Sequence, residues 1–209
     1  ASDVYKRQIY GNGLSSKLLA LALSKNNFKS LIIADQKPKN KESNLVTFLS
    51  EGSLKFISKV LETDNIFPES ENIEKLQCEH LSSKKQTKLE FENPNKSTLG
   101  KIVPNVKIDE IFNNKILSNS KHIHISDHYE ITPKIDDNKI TITDKSGEKK
   151  SAALLFYSAS SREHDLLNSF EFVEKKLDQV AISASVNVKR KQHNVAYQLF
   201  TQDGPVALL

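Results

Sequence analysis

Apolar positions recur along the chain in two periods, and the change of period marks the elements. Ile9-Tyr10 is a short apolar pair that reads as a strand. Gly11-Asn12-Gly13 interrupts it. Leu14, Leu18, Leu21 and Ala22 then recur at helical spacing, which predicts a helix over 14–25 with that face inward. Asn26-Asn27 ends it. Leu31 to Ala34 is a continuous apolar run closing on Asp35, the pattern of a strand buried on both faces. Strand, helix and strand in that order predict a βαβ start. Ser50 can cap a second helix over 51–61, with Leu54, Ile57 and Leu61 inward.

Alternation then takes over. Residues 76–80 and 88–91 predict a hairpin. Ile108, Ile111, Phe112 and Ile116 predict a third helix over 107–117. Strands are expected at 122–125, 139–143 and 152–157, with turns at 136–138 and 144–147. Val180–Val188 and Val195–Phe200 read as longer alternating strands. Asp203-Gly204-Pro205 turns the chain into the apolar run 206–209.

Composition narrows the class. Of 209 residues, 37% are hydrophobic and 27% charged, which excludes a disordered polyelectrolyte. Cys78 is the single cysteine, so no intrachain disulfide and no cysteine-only metal site can form. No run approaches the roughly 18 apolar residues of a membrane span, and no signal-peptide pattern is present. The expected location is cytoplasmic, with peripheral association at an inner membrane face compatible with that reading. Net charge is +4, but only three of the 30 basic residues are arginine, at 7, 162 and 190. The lysines are interleaved with acids and read as a solvated surface, so no nucleic acid is expected as a partner. Residues 1–8 (ASDVYKRQ) resemble translated adapter sequence and are set aside as a non-native leader. The apolar finish at 206–209 reads as an interior cut in a longer protein.

The chemistry concentrates at Gly11-x-Gly13-x-x-Ser16, between a strand and a helix. Gly11 allows the tight turn, and Gly13 lets a pyrophosphate approach the backbone. The free N–H groups of Leu14, Ser15 and Ser16 at the helix start then hold the anion. Ser16 takes the third position, usually Gly or Ala, where a small residue permits close helix–strand packing. Asp35 follows Gly13 by 22 positions at a strand end, where a carboxylate accepts ribose hydroxyls. A plain tight βα turn with a solvated Asp35 is the competing reading of the same residues.

Other constellations carry less. His122, His124 and His128 with Asp127 superficially resemble metal ligands, but read as surface strand residues, and no metal is expected. His193 reads as a packing residue on an alternating strand, and Cys78 as a small buried one. Arg162-Glu163-His164-Asp165 is contiguous and splays apart on any regular element, so no catalytic residue is drawn from it.

The stretch IYGNGLSSKLLALAL (9–23) resembles the opening of FAD-dependent aromatic hydroxylases, most nearly the ubiquinone-biosynthesis branch. Asp178-Gln179-Val180-Ala181, His193, AYQLF (196–200) and DGPVALL (203–209) are similar in order and spacing to that branch's substrate-domain strands. TFLS (47–50) and LGKIVPN (99–105) also fit. The resemblance covers 9–209 and about the first half of such an enzyme. It implies an α/β, overall α+β, chain: a Rossmann-like FAD-binding domain with a parallel sheet and β-meander over 9–72 and 99–165. An incomplete β-rich substrate domain over 73–98 and 166–209 is interleaved with it. It further implies FAD as cofactor, NAD(P)H as reductant, and an aromatic, prenylated substrate on the way to ubiquinone. Asn105 stands where the family places an amide near the flavin. Two positions depart from the family: Leu45 replaces an Arg, and Tyr157-Ser158-Ala159-Ser160-Ser161 replaces an Asp-Gly pair. These departures leave open a flavin-binding relative without hydroxylase activity, working with partners in a biosynthetic complex. An NAD(P)-dependent reductase sharing only the glycine turn is a further alternative.

Overall fold

The structure, a computed structural model, describes residues 7–34, 45–81, 86–95, 97–126, 132–136, 139–143, 147, 149–158, 173, 175, 178–189 and 193–209. In chain order the elements are β1 (Arg7–Tyr10), α1 (Leu14–Lys25), β2 (Ser30–Ile33), β3 (Val46–Ser50), α2 (Glu51–Leu61) and β4 (Glu71–Ile73). Then come β5 (Lys75–Leu81), β6 (Gln86–Glu92), β7 (Gly100–Pro104), α3 (Asn105–Ser118), β8 (Ile123–Ser126) and β9 (Thr132–Asp136). The last are β10 (Lys139–Thr143), β11 (Lys149–Ala152), β12 (Leu154–Tyr157), β13 (Val195–Thr201) and β14 (Gly204–Leu208). The chain divides into two compact units, Ala1–Glu42 with Ile108–Ala181, and Ser43–Lys107 with Ile182–Leu209.

The first unit is built on a parallel sheet of order β12-β1-β2-β8. Tyr10 lies in register with Ile33 on one side and Tyr157 on the other. Ile9, Ile32 and Ile33 are fully buried, each worth about 1.5–3 kcal/mol relative to exposure. By alternation Gln8, Tyr10, Leu31 and Ile33 share one face. Tyr10, Leu31 and Ile33 cluster there with Ile142 of β10. Strand β10 is the middle of an antiparallel meander, β11-β10-β9. The predicted mixed α/β class, with its parallel sheet and meander, is the observed one. The first strand runs back over Arg7 and Gln8, two residues that the sequence had set apart.

Helix α1 has the predicted bounds but a different buried face. Ser16, Lys17, Ala20, Leu21 and Ser24 are inside, while Leu14, Leu18 and Ala22 are half-buried. Small side chains at 16, 20 and 24 let the helix backbone approach the strands, and the leucines fill the flanks. Helix α3 turns Ile108, Phe112 and Ile116 inward, as its spacing predicts.

The second unit holds two sheets. One is antiparallel, of order β3-β7-β4, and the other has order β14-β13-β5-β6. Helix α2 starts and stops as predicted. Ser53 N–H donates to Ser50 Oγ at 3.2 Å, and Glu62 ends the helix in the left-handed region at φ 56. The expected 76–91 hairpin forms as β5 and β6, and β13 runs parallel to β5. Strands β3, β4, β7 and β9 carry no alternation strong enough to have predicted them.

Three expectations are corrected. Val180–Val188 is not a strand: its residues have no ladder partner and stay exposed, Val180 at 87% and Ile182 at 89%. Alternation alone cannot hold a strand whose backbone groups go unpaired. His193 lies in the turn before β13 rather than within a strand. Cys78 is half-buried rather than buried, because its sheet face is open.

Candidate functional site

The site grows from the carboxyl edge of the parallel sheet. Gly11 N–H donates to the Ile33 carbonyl at 2.8 Å, and Ser158 N–H donates to the Tyr10 carbonyl at 2.8 Å. These bonds hold the ends of β1, β2 and β12 together where the chain turns. Gly11 makes that turn at φ 111, in the left-handed region that favours glycine. Rings of Tyr10 and Tyr157 stack at the same edge, 5.3 Å apart and 12° from parallel.

Helix α1 begins at once. Gly13 is its N-cap, in extended conformation at φ −69 and ψ 176, and no side chain caps the helix. Lys17 is the residue whose N–H returns to the Gly13 carbonyl, at 3.1 Å. The amides of Leu14, Ser15 and Ser16 precede it and have no acceptor within the helix. The first turn carries no acidic residue. Among the described residues, a Cβ placed on Gly13 would meet nothing within 4 Å. Packing among the described residues therefore does not require this glycine, and its bareness leaves open room above three unspent donors at the positive end of a helix. Ser16 is 1% exposed, and its hydroxyl has no partner among the described residues. Free amides, an uncapped helix and an unfilled cradle fit the pyrophosphate of a dinucleotide.

The other expected ligands lie elsewhere. Asp35 is outside the described residues, as are Ser160, Ser161, Asp127 and His128. Asn105 belongs to the second unit at the start of α3. Its Oδ1 accepts from Thr47 Oγ1 at 2.6 Å, and its N–H donates to the Leu45 carbonyl at 2.9 Å. Asn105 thus ties β3 to α3, with the Leu45 side chain exposed beside it. The structure brings Gly11, Gly13, Leu14, Ser15 and Ser16 into one turn of the first unit, and Asn105 belongs to the second.

Sequence reasoning passed over Lys17, on the buried face of α1. Its ammonium pairs with Asp109 of α3. The available signal was a lone charge within the apolar stretch 14–23. Among the described residues no group of three His, Cys, Asp or Glu could hold a metal ion, and no helix is long and apolar enough to cross a membrane. The second unit has a concavity of about 510 Å³ between α2 and residues 62–67. Its Lys101 is engaged with the Phe67 carbonyl at 2.8 Å.

No protein-family model matches the sequence, and no curated protein matches it. Solved structures do. The p-nitrophenol 4-monooxygenase PnpA from Pseudomonas putida DLL-E4 superposes with a TM-score of 0.61 at 12% identity, over 78% of this chain and 42% of that one. PqsL of P. aeruginosa, in complex with 2-aminobenzoylacetate, gives 0.61 at 10% identity, over 84% and 48%. The flavin-dependent monooxygenase PieE, in complex with FAD and substrate, gives 0.57 at 13%, over 80% and 32%. The chain spans less than half the length of each. At these identities the likeness is one of fold, and it is the fold on which these monooxygenases are built.

Proposed function

We propose that this chain carries the dinucleotide-binding part of an FAD-dependent monooxygenase that hydroxylates an aromatic ring. One observation carries the reading: the uncapped start of α1 with open space at Gly13, set at the carboxyl edge of a parallel sheet. In this reading the backbone amides of Leu14, Ser15 and Ser16 hold the pyrophosphate, and Gly11 shapes the turn that presents them. Asp35 accepts the ribose hydroxyls. Bound FAD supplies the oxygen-activating chemistry, with NAD(P)H as reductant. The protein's part is to bind, orient and exclude water.

The flavin is assigned to segments 9–72 and 99–165, and the substrate to 73–98 and 166–209. An apolar, ring-bearing substrate is supported by one face of the β14-β13-β5-β6 sheet. There Phe91 and Leu89, 50% and 57% exposed, lie in register with Leu76 and Cys78. A prenylated phenol on the way to ubiquinone is the substrate proposed, from the resemblance of 9–23 and 178–209. The cytoplasm, with peripheral membrane contact, is the setting proposed with it.

Leu45, standing where the resemblance calls for Arg, favours a second reading. In it a flavin-binding relative lacks hydroxylation and works within a biosynthetic complex. Titration of the chain with FAD and with ADP, followed by flavin fluorescence and by backbone NMR shifts at Gly11–Lys17, tests the shared core. Shifts at that turn are expected; none at millimolar ligand overturns both readings. Oxygen uptake coupled to a hydroxylated product then separates them.

A further inference from the structure

Apolar packing holds α1 on its sheet, but apolar packing is non-directional. The buried face of the helix includes one charged residue among Ser16, Ala20, Leu21 and Ser24. That residue, Lys17, is 8% exposed. Its ammonium meets Asp109 Oδ1, 92 positions away on α3. The other oxygen, Asp109 Oδ2, accepts from Asn113 Nδ2 at 2.9 Å, one turn further along α3. The carboxylate is therefore held from both sides. A buried ammonium is costly unless a carboxylate meets it, and an apolar residue of similar volume fills such a place without that cost. What the ion pair adds is direction, since two hydrogen-bonded charges accept one geometry.

Lys17 is also the residue whose backbone N–H closes the first turn of α1 on Gly13. The side chain that meets Asp109 thus leaves the backbone immediately after those three amides. We propose that Lys17 is a positioning residue. Acting through Asp109 and Asn113, it locks the roll of the first turn so that the amides of Leu14, Ser15 and Ser16 converge on a diphosphate. The inference rests on the dinucleotide reading above. It adds that discrimination of a nucleoside diphosphate from a bare nucleoside is set from the α1–α3 contact, behind the cradle.

The test uses the whole chain and two probes, ADP and adenosine, titrated by NMR against Lys17→Met, Asp109→Asn and Asn113→Ala. Positioning predicts that K17M and D109N both weaken ADP on the order of tenfold, the scale on which a supporting residue acts on a site it does not touch. Adenosine affinity stays unchanged, which a general loss of fold would not produce. Lys17→Arg, which keeps the ion pair, restores most of the ADP affinity. A direct charge effect predicts the reverse for D109N, because an unpaired ammonium near the cradle attracts phosphate. Tighter ADP binding by D109N therefore overturns the proposal, as does K17M with wild-type ADP affinity. Equal losses for both probes also overturn it. Where K17M does not fold, N113A carries the test with a smaller, ADP-selective loss, and wild-type affinity there is contrary. A wild-type chain that binds neither probe defeats the dinucleotide reading, and this inference with it. A wild type that binds ADP beside unaffected variants defeats only the inference.

Discussion

The amide of Gly11 donates to the carbonyl of Ile33 across 2.8 Å, so the chain leaving β1 is still tied to β2 at the residue where it must turn. Gly11 accomplishes this at φ 111. Gly13 sits two residues on at φ −69 with no described residue near its missing Cβ. The first glycine is demanded by the backbone, whereas no contact among the described residues demands the second.

That difference is measurable. Gly11→Ala should lower unfolding free energy by about 1–2 kcal/mol, the cost of an L side chain in the left-handed region. Gly13→Ala should change stability by about 0.5 kcal/mol or less yet weaken ADP at least tenfold, because its methyl enters the cradle. Denaturant unfolding and ADP titration of the two variants check the pair. A G13A protein that binds ADP normally would remove the reason for a glycine there.

Gln8 is the misfit of the sheet. It is fully buried in β1, in register with Leu31 and Leu155, and neither polar atom of its amide has a partner among the described residues. An unsatisfied buried polar group costs about 1–3 kcal/mol. Gln8→Leu, close in size, should therefore raise the unfolding free energy by about 1–2 kcal/mol, seen as a higher denaturant midpoint at an unchanged slope. A loss of stability instead would mean that the amide is satisfied by water.

How far these features were legible differs by residue. Helix α2 was legible because its cap and its apolar spacing are local: Ser50, Ile57 and Leu61 declare it within 12 positions. The turn Gly11–Ser16 was legible because its glycines sit between a strand and a helix. The buried face of α1 was not, since hydrophobicity favours leucines inward while helix-to-sheet distance selects Ser16, Ala20 and Ser24. Lys17 and Asp109 could not be paired from sequence, being 92 positions apart. Val180–Val188 alternates well, but a strand is a property of two segments. Asn105 was placed by resemblance, whereas its Thr47 partner is a matter of tertiary contact.

Gly100 offers a test of packing in the second unit. It lies on β7 opposite Ser50 and Ile73. A Cβ there would collide with the Leu49 carbonyl and sit 2.8 Å from the Phe48 ring. The neighbour is backbone, which cannot swing aside, so Gly100→Ala should cost about 1–3 kcal/mol. Hydrogen exchange across β3 and β7 should accelerate in the variant. Unchanged protection there would show that the strands part without cost.

The β5–β6 hairpin carries a pH response whose sign follows from its ion pairs. Lys88 lies 2.7 Å from Glu90, and Lys75 lies 3.2 Å from Glu90 and 2.6 Å from Glu92. Hydrogen bonds from Lys88, then Lys75, hold the Glu90 carboxyl below its ordinary range. The Lys75 ammonium is held above its own by Glu92 and then Glu90. A carboxyl depressed in the folded state stabilises above its unfolded pKa, and that contribution is lost as pH falls through the folded one. Lys75 works oppositely, stabilising below its unfolded pKa and losing that as pH climbs through its raised folded value. Near neutrality both contributions are present. On acidification below about pH 4.5 the wild type should lose stability relative to Glu90→Gln, which cannot titrate. Solvent screens these groups, so the difference should be small and should shrink further in molar salt. Thermal melts of both proteins across that range, at low and high salt, measure it. A wild type that gains on Glu90→Gln as pH falls would reverse the sign and place the carboxyl in a different setting.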